Sequence, residues 1–332
     1  MPAGPRLPGE FDLIQRYFAP LAAKMPGAQG LTDDACTYLP PAGHELVLTA
    51  DALISGIHFL ETDPPDMIAR KMLRVNLSDL AAKGAMPVGY LMTTGFSDDI
   101  DEAWVSKFVA GLAIDQETFG ISLMGGDTVA QPGPLTLSLT AIGIVAAGCA
   151  MRRRGALPGD RIFVSGTIGD GYLGLKVLRG GLLELDSAQS QFLGRRYQLP
   201  EPRVTLGQAL ARSRLIHASM DVSDGLVADL GHICSASGCG AVIRTDCVPL
   251  SDAATAALAE DLELMRGILT GGDDYELLFT APADVAKVIA EIGADIGTDV
   301  TDIGEIAAAP GLRVLDRDGQ EIAFARGGYR HF

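Results

Sequence analysis

Apolar and polar positions along the chain follow the periods of helices and strands in turn. Helical spacing of apolar residues predicts amphipathic helices over residues 11–23, 63–84 and 101–119. Short apolar or alternating runs predict strands over residues 45–54, 87–95, 121–124 and 134–147. Strands that are followed by helices indicate an α/β domain, and we place its boundary near Gly148.

A second series of elements follows this boundary, in a chain of 332 residues that is long enough for two domains. Further helices are predicted over residues 226–235, 252–260, 262–269 and 284–292. Strands are predicted over residues 161–165 and 240–248 and within 270–279. A glycine-rich stretch, residues 166–174, follows a strand but lacks the spacing of the dinucleotide-binding pattern, so we interpret it as the start of a helix.

Aspartates stand at the ends of apolar runs or beside glycines. In residues 121–128, ISLMGGDT, an apolar strand ends in Gly125 and Gly126, and no Cβ keeps a ligand from the backbone there. Asp127 then lies at the mouth of the strand. For this octet alone a tight turn with a solvated aspartate is the simpler interpretation. The pattern recurs, however, at Asp33, Asp34, Asp51, Asp79, Asp221, Asp224, Asp273 and Asp274, which favours a site for metal or phosphate.

Four of these positions in the first domain allow a sharper expectation. Asp51 interrupts a predicted buried strand, where a charge is costly unless it is paired or bound to metal. Asp33 and Asp34 lie in a segment, residues 30–38, that resembles a strand, so their side chains should face opposite ways and only Asp34 should enter the site. Asp79 lies on a polar helix face and would need a cation if that face met a sheet, or would simply pair with Lys83 four residues later.

Polar residues of the second domain carry similar alternatives. Asp221, Ser223 and Asp224 precede a helix, where they could cap its first turn or form a cradle for metal and phosphate. The basic run that includes Arg153 could be a solvated linker, or could meet a phosphate at the junction of the domains. In the first domain, His58 stands alone in a loop rich in glycine and apolar residues, a setting in which a structural role is more common.

The composition excludes some classes of partner. With a formal charge of -16 the protein lacks the basic face that nucleic acid or an anionic membrane would require. A polyphosphate ligand would therefore have to be presented with divalent cations. Five scattered cysteines and no signal peptide predict reduced thiols in the cytoplasm, and Cys234 and Cys239 lack the spacing of a zinc site. No apolar run approaches the length of a membrane span.

Several motifs occur in a characteristic order: GEF, TDDA, LTADALISGIHF, NLSDLAA, GGDT, DVSDGL, GGDDYELLF and GGYRHF. In this order the chain resembles the thiamine-monophosphate kinases, of the superfamily of aminoimidazole ribonucleotide synthetase and selenophosphate synthetase. The resemblance implies a two-domain α/β fold: a mixed N-terminal sheet with helices in residues 1–148, which pairs in a homodimer, and a C-terminal α/β sandwich in residues 149–332. It also implies transfer of the γ-phosphoryl group of ATP, with Mg²⁺, to thiamine monophosphate, which gives thiamine diphosphate and ADP.

The resemblance also implies roles for individual residues. Magnesium positions would be Asp34, Thr49, Ala50, Asp51, Asp79, Asp127, Asp221 and Asp224. ATP would contact Gly126, Asp127, Arg153 and Ser223, and the thiamine ligand would contact His58, Asp273 and Tyr329. Among these residues, the catalytic ones would be Asp34, Asp127, Asp221 and Arg153. The family usually has Ser-Thr-Asp where this chain has residues 49–51, so only the backbone carbonyl of Ala50 could bind metal, and it usually has Glu where Asp273 stands.

The acceptor in such a reaction is a phosphate oxygen that is already ionised near neutral pH, so no general base is required. Catalysis would rest on positioning and on neutralisation of charge. Two alternatives are a sibling synthetase of the superfamily and a non-catalytic sensor of nucleotide or divalent cations. A selenophosphate synthetase should carry a reactive Cys or selenocysteine with a Lys near its N-terminus. The hydrogenase-maturation dehydratase is another member of the superfamily. It should end in a cysteine, whereas this chain ends in His331-Phe332.

Overall fold

The structure is a computed structural model that describes residues 7–182, 184–324 and 328. The chain forms two compact units, one of Met1–Leu80 with Met86–Gly148 and the other of Ala81–Ala85 with Cys149–Phe332. Each unit contains a sheet and helices, so the predicted two-domain α/β fold is confirmed. Among the described residues no helix has both the length and the apolar character of a membrane span.

The first unit is built on a mixed four-stranded sheet in the order β1-β4-β2-β3. Strands β2 and β3 are parallel, and the other neighbours are antiparallel. The strands are β1 (His44–Ile54), β2 (Met86–Phe96), β3 (Ser122–Ala130) and β4 (Thr136–Ala146). The helices are α1 (Glu10–Leu13), α2 (Pro65–Ala82) and α3 (Glu102–Phe119). The long elements agree with the predicted ones to within a few residues.

Helices α2 and α3 cover one face of this sheet. The Thr49 hydroxyl on β1 donates to the Asp79 carboxylate on α2, and Gln116 Nε2 on α3 donates to the Tyr90 hydroxyl on β2 at 2.9 Å. The opposite face remains exposed in this chain, and Leu48 is 61% accessible there. The prediction that β1 is largely buried is therefore wrong, because its residues alternate between a helix-covered and an open face.

The N-terminal segment differs most from its prediction. In place of one helix over residues 11–23, α1 is followed by a π-helical turn, Ile14–Phe18, and a 3₁₀ turn, Ala19–Ala22. Pro20 has no N–H group to continue an α-helix there. A 3₁₀ segment, Pro26–Leu31, then leads into a bend at residues 33–35, so the strand expected over residues 30–38 is also wrong.

The second unit holds a six-stranded sheet in the order β10-β7-β9-β5-β8-β6. Its strands are β5 (Arg161–Ser165), β6 (Ala218–Asp221), β7 (Gly240–Arg244), β8 (Leu277–Ala281), β9 (Val300–Ala307) and β10 (Gly311–Leu315). Its helices are α4 (Asp170–Leu178), α5 (Ser187–Gln198), α6 (Val204–Ser213), α7 (Leu226–Ser237), α8 (Asp252–Glu260), α9 (Leu264–Thr270) and α10 (Ala286–Ile296). Fully buried Ile162, Leu230 and Leu278 belong to the core between sheet and helices.

Candidate functional site

A cavity of about 190 Å³ lies beside β3, the edge strand of the first unit. Its acidic wall contains Asp33, Asp34 and Asp127, and Gly126 lines it as well. Both aspartates of the pair thus reach the same cavity, and the expectation that only Asp34 would do so is wrong. The reason is the bend at residues 33–35, where side chains do not alternate as they do in a strand. The structure therefore brings Asp34 and Asp127 together.

Gly126 is required by the close packing of two strands. A Cβ on this residue would lie 1.8 Å from the backbone oxygen of Met92 on β2. A Cβ on Gly125 would meet only the end of the Leu91 side chain, at 3.4 Å. The parallel pair β2–β3 thus comes close at Gly126, and this contact fixes the backbone from which the exposed Asp127 side chain projects.

A second acidic cluster, Thr49, Asp51 and Asp79, lies between β1 and α2. The Thr49 hydroxyl donates to the Asp79 carboxylate. Burial and then the charge of Asp79 raise the pKa of Asp51 to about 6. Ala50 is exposed, and its side chain points to the opposite face of the sheet from those of its two neighbours. His58 follows β1, and its Nδ1 accepts a hydrogen bond of 3.0 Å from the Ile54 N–H.

The order of the strands separates the two clusters of this unit. Asp51 pairs with Leu139, which pairs with Met92, which pairs with Gly126. Asp51 thus lies three strands away from β3, roughly 14 Å at the usual spacing of about 4.8 Å. Asp127 follows Gly126 and belongs to the other face of the sheet. Within one chain, Asp51 and Asp127 are therefore on opposite edges and opposite faces.

In the second unit, the loop between β6 and α7 holds Asp221, Ser223 and Asp224. The N–H groups of Ser223, Asp224 and Gly225 all donate to Oδ2 of Asp229, at 3.0, 3.1 and 3.2 Å. The predicted capping by Asp221, Ser223 or Asp224 is wrong, because the structure shows no side-chain cap on Gly225, the residue before α7. The backbone amides of this loop are already bound by Asp229, so the cradle for metal and phosphate would have to be formed by the side chains of Asp221, Ser223 and Asp224, and it stays a prediction.

Asp229 was not identified from the sequence. It is almost fully buried, and burial, followed by the charges of Asp221 and Asp224, raises its pKa to about 8. Ligand atoms of Asp224, Asp229 and His232 lie within 4.8 Å of one another, an arrangement that can hold a cation. One feature of the sequence could have indicated Asp229: it is an aspartate in the first turn of a predicted helix whose other residues present an apolar surface to the core.

Arg153 is exposed and lies in the segment beside β6, the edge strand of this unit. The carbonyl of the preceding residue, Arg152, accepts a hydrogen bond of 2.7 Å from the Ser219 N–H on that strand. Asp221 is the last residue of the same strand. Arg153 and Asp221 are thus placed on neighbouring segments at one edge of the sheet.

The segment from Gly272 to Tyr275 runs alongside the Ser223 loop. The Asp273 N–H donates to the Ser223 carbonyl at 2.9 Å, and the Tyr275 N–H donates to the Val222 carbonyl at 2.8 Å. Asp273 and Tyr275 have φ values of 63° and 54°, which are uncommon for residues with a side chain. The Tyr275 hydroxyl donates to the Asp273 carboxylate at 3.1 Å. The substrate candidate Asp273 is therefore held in an unusual backbone conformation against the loop of the nucleotide candidate Ser223.

Asp274 links this segment to the glycine-rich stretch of residues 166–174. Its buried carboxylate accepts hydrogen bonds from the N–H groups of Gly169 and Gly171, at 2.8 and 3.0 Å. These groups belong to the first turn of α4, so the interpretation of the stretch as the start of a helix is confirmed. Burial raises the pKa of Asp274 well above its usual value. Tyr329, the remaining substrate candidate, lies outside the described residues.

Glu276 anchors the end of the same segment in the interior. Its carboxylate is fully buried and accepts hydrogen bonds from Arg196 at 2.9 Å and from Arg203 at 2.6 Å. The Ser165 hydroxyl donates to it at 2.6 Å. Removal of one partner would leave a buried charge without compensation, so this network holds the start of β8 in a defined place.

The two units correspond to the two domains of one protein family, and the sequence matches the models of both domains. Residues 32–145 match the N-terminal domain of AIR synthase related proteins, and residues 158–317 match the C-terminal domain. The chain belongs to this family. Within it, the chain is 43% identical to a thiamine-monophosphate kinase of Caulobacter vibrioides over 329 residues, which cover 98% of this chain and 91% of that protein.

Solved structures agree with this relation. A crystal structure of thiamine-monophosphate kinase from Stenotrophomonas maltophilia K279a has a TM-score of 0.81 and 38% identity, with 92% of this chain and 98% of that chain covered. A structure of AaThiL complexed with AMPPCP and TMP has a TM-score of 0.77 and 30% identity, with 98% and 97% covered. The similarity thus extends over nearly the whole chain in both sequence and fold.

Proposed function

We propose that this protein phosphorylates thiamine monophosphate with ATP, giving thiamine diphosphate and ADP. The observation that carries the proposal is similarity to thiamine-monophosphate kinases over 98% of the chain. Clusters of carboxylates in both units, a type of ligand that suits magnesium, support it further. The reaction needs no general base, because the accepting phosphate oxygen is ionised near neutral pH.

The side chains fit magnesium, which prefers oxygen ligands. Asp51 and Asp79 lie close enough for the charge of Asp79 to raise the pKa of Asp51, and a divalent cation would offset this repulsion. We propose that the cations are held in the first unit by Asp34, Thr49, the carbonyl of Ala50, Asp51, Asp79 and Asp127. In the second unit, Asp221 and Asp224 would hold them. Bound magnesium would neutralise charge on the transferring phosphoryl group.

The remaining candidates would bind and orient the two substrates. We propose that Gly126, Arg153 and Ser223 contact ATP, with the guanidinium of Arg153 on a phosphate. His58, Asp273 and Tyr329 would contact the thiamine ligand. The His58 Nδ1 already accepts the Ile54 N–H, so its Nε2 is the ring nitrogen that would face the substrate, and the role assigned to it is orientation and not proton transfer.

We also propose that the protein acts as a homodimer. Leu46, Leu48, Met86 and Leu91 are exposed on one face of the first sheet, and such an apolar face commonly marks an interface. The separation of Asp51 from Asp127 within one chain gives a second reason, because a cage that uses both residues would need them from different copies. A second copy of the chain would supply both a cover for the face and the missing carboxylate.

Incubation of the purified protein with ATP, magnesium and thiamine monophosphate tests the function directly. We expect ADP and thiamine diphosphate in equal amounts. Asp127→Asn should retain the fold but lose nearly all turnover, since it removes a proposed cation ligand. ATP and magnesium binding without turnover by the wild-type protein would instead identify a sensor. Phosphoryl transfer at the wild-type rate by Asp127→Asn would remove this residue from the proposed site.

Mixing of two inactive variants tests the shared site. Asp51→Asn and Asp127→Asn should each be inactive alone, whereas a mixture that has exchanged subunits should regain up to about a quarter of the wild-type activity. The reason is statistical: half of the dimers would be mixed, and one of the two sites in each would be intact. Recovery requires that each site takes Asp51 and Asp127 from different chains. A dimer that shows no recovery would contradict this arrangement.

A further inference from the structure

Three converging backbone amides precede α7, and they are an ordinary binding site for an anion. Successive N–H groups that point to one place attract phosphate at many helix N-termini, because their partial positive charges add to that of the helix. Here the N–H groups of Ser223, Asp224 and Gly225 all point to one oxygen of Asp229. The protein thus fills this site with its own carboxylate, which is 1% accessible.

The other side of the loop is also occupied. The carbonyls of Val222 and Ser223 accept N–H groups from Tyr275 and Asp273. A Cβ on Gly272 would lie 2.2 Å from the Ser223 carbonyl oxygen, so the two segments are in direct backbone contact. With the amides bound on one side and the carbonyls on the other, the loop offers a ligand mainly the side chains of Ser223 and Asp224, which are half-buried.

From this geometry we propose that Asp229 is a positioning residue for magnesium nucleotide. By accepting three backbone N–H groups, it holds the Ser223 loop in the conformation that presents the Ser223 hydroxyl and the Asp224 carboxylate to the ligand. It also fills an amide site that would otherwise attract phosphate, so the loop offers the cation the carboxylate of Asp224. This inference rests on the proposed function, in which Ser223 contacts ATP and Asp224 contacts magnesium.

Two variants of Asp229 separate the effect of its hydrogen bonds to the loop from the effect of a carboxyl group at this position. In Asp229→Asn, the amide oxygen can still accept the three N–H groups, whereas in Asp229→Ala nothing replaces them. A matched control is Asp160→Ala, because Asp160 is also a buried carboxylate of this unit. It accepts the Leu157 N–H at 2.8 Å and pairs with His217 at 2.9 Å. Loss of Asp160 should lower stability, and its two side-chain partners, Leu157 and His217, both lie outside the Ser223 loop.

The first measurement is hydrogen exchange of the peptide that covers residues 222–226, in metal-free protein. We expect exchange at least about tenfold faster in Asp229→Ala than in the wild type, and much closer to the wild type in Asp229→Asn. Asp160→Ala should leave this peptide unchanged. Equal exchange in wild type and Asp229→Ala would overturn the proposal. This readout requires no turnover, so it stands even if the wild type does not phosphorylate thiamine monophosphate.

The second measurement is calorimetric titration with magnesium and AMPPCP, a nonhydrolysable analogue of ATP. We expect Kd to rise at least about tenfold in Asp229→Ala and less in Asp229→Asn, because alanine leaves the three N–H groups without an acceptor whereas the asparagine oxygen can still accept them. Asp160→Ala should bind as the wild type does. An equal loss of affinity in Asp160→Ala would show a general effect of lowered stability and would refute a positioning role.

Discussion

Substitution of Gly126 by alanine is the sharpest test of how the first unit presents Asp127. The new Cβ would lie 1.8 Å from the Met92 backbone oxygen, whereas carbon and oxygen rarely approach closer than about 3.2 Å. Strands β2 and β3 would have to separate by about 1.4 Å at this point, and the parallel ladder would weaken or break. A backbone clash of this kind typically costs about 3–5 kcal/mol, and Tm should fall by roughly 10 °C.

Activity should fall further than stability suggests. Asp127 follows the clash directly, and a displacement of about 1 Å at a reacting site costs roughly a hundredfold in rate. Gly125→Ala is the matched control for the fold, because its Cβ would make only an ordinary 3.4 Å contact with the Leu91 side chain. Its stability should stay within about 1 kcal/mol of the wild type.

Differential scanning calorimetry and the coupled assay for ADP measure these two effects. The assay should be performed at a temperature at which Gly126→Ala is still folded, so that the loss of rate is not a loss of protein. If Gly126→Ala melts with the wild type and keeps its kcat/KM, the close approach of β2 and β3 at Met92 does not exist in solution and does not hold Asp127 in place.

Two further predictions concern the end of β1. His58→Ala should raise KM for thiamine monophosphate more than it lowers kcat, because the role proposed for the ring is to orient substrate; a loss of about a thousandfold in kcat at unchanged KM would point to chemistry instead. Asp51 should make metal-free protein less stable as pH rises from about 4 through about 6, because its pKa is raised to about 6 and folding disfavours its ionised form. The effect is at most about 3 kcal/mol, and urea unfolding in EDTA at several pH values should show it in the wild type but not in Asp51→Asn; parallel profiles would refute it.

The long elements could be predicted from the sequence because their apolar periodicity is sustained. Helix α3 was expected over residues 101–119 and is Glu102–Phe119, with Asp101 accepting the Trp104 N–H as its N-cap. The N-terminal segment could not be predicted in the same way, because a π turn and two 3₁₀ turns leave no single period to detect. Its bend is nevertheless what brings both Asp33 and Asp34 to the cavity.

Candidate site residues could be predicted from the sequence where an aspartate ends an apolar run. The buried residues that hold the site segments in place by hydrogen bonds could not be predicted. Asp274 accepts N–H groups from residues more than 100 positions away, Gly169 and Gly171. Such a pair has no spacing by which one sequence could reveal it, since the partner atoms are backbone and every residue carries them. Asp229 was nearer to its partners and was missed for the same reason. A buried carboxylate whose partners are amides resembles, in the sequence, any polar residue of a helix.

The strand order of the first unit separates two of the candidate magnesium ligands, Asp51 and Asp127. The proposed function gives Asp51 and Asp127 the same task, the supply of carboxylate oxygens to magnesium. Topology then places them on the two outer strands, β1 and β3, and on opposite faces. Hinge motions and side-chain rotations cannot bridge three strand spacings of a hydrogen-bonded sheet. If the two residues serve one cation cluster, the sheet itself requires a second copy of the chain, and the exposed apolar face with Leu46 and Leu48 is where we expect that copy to bind.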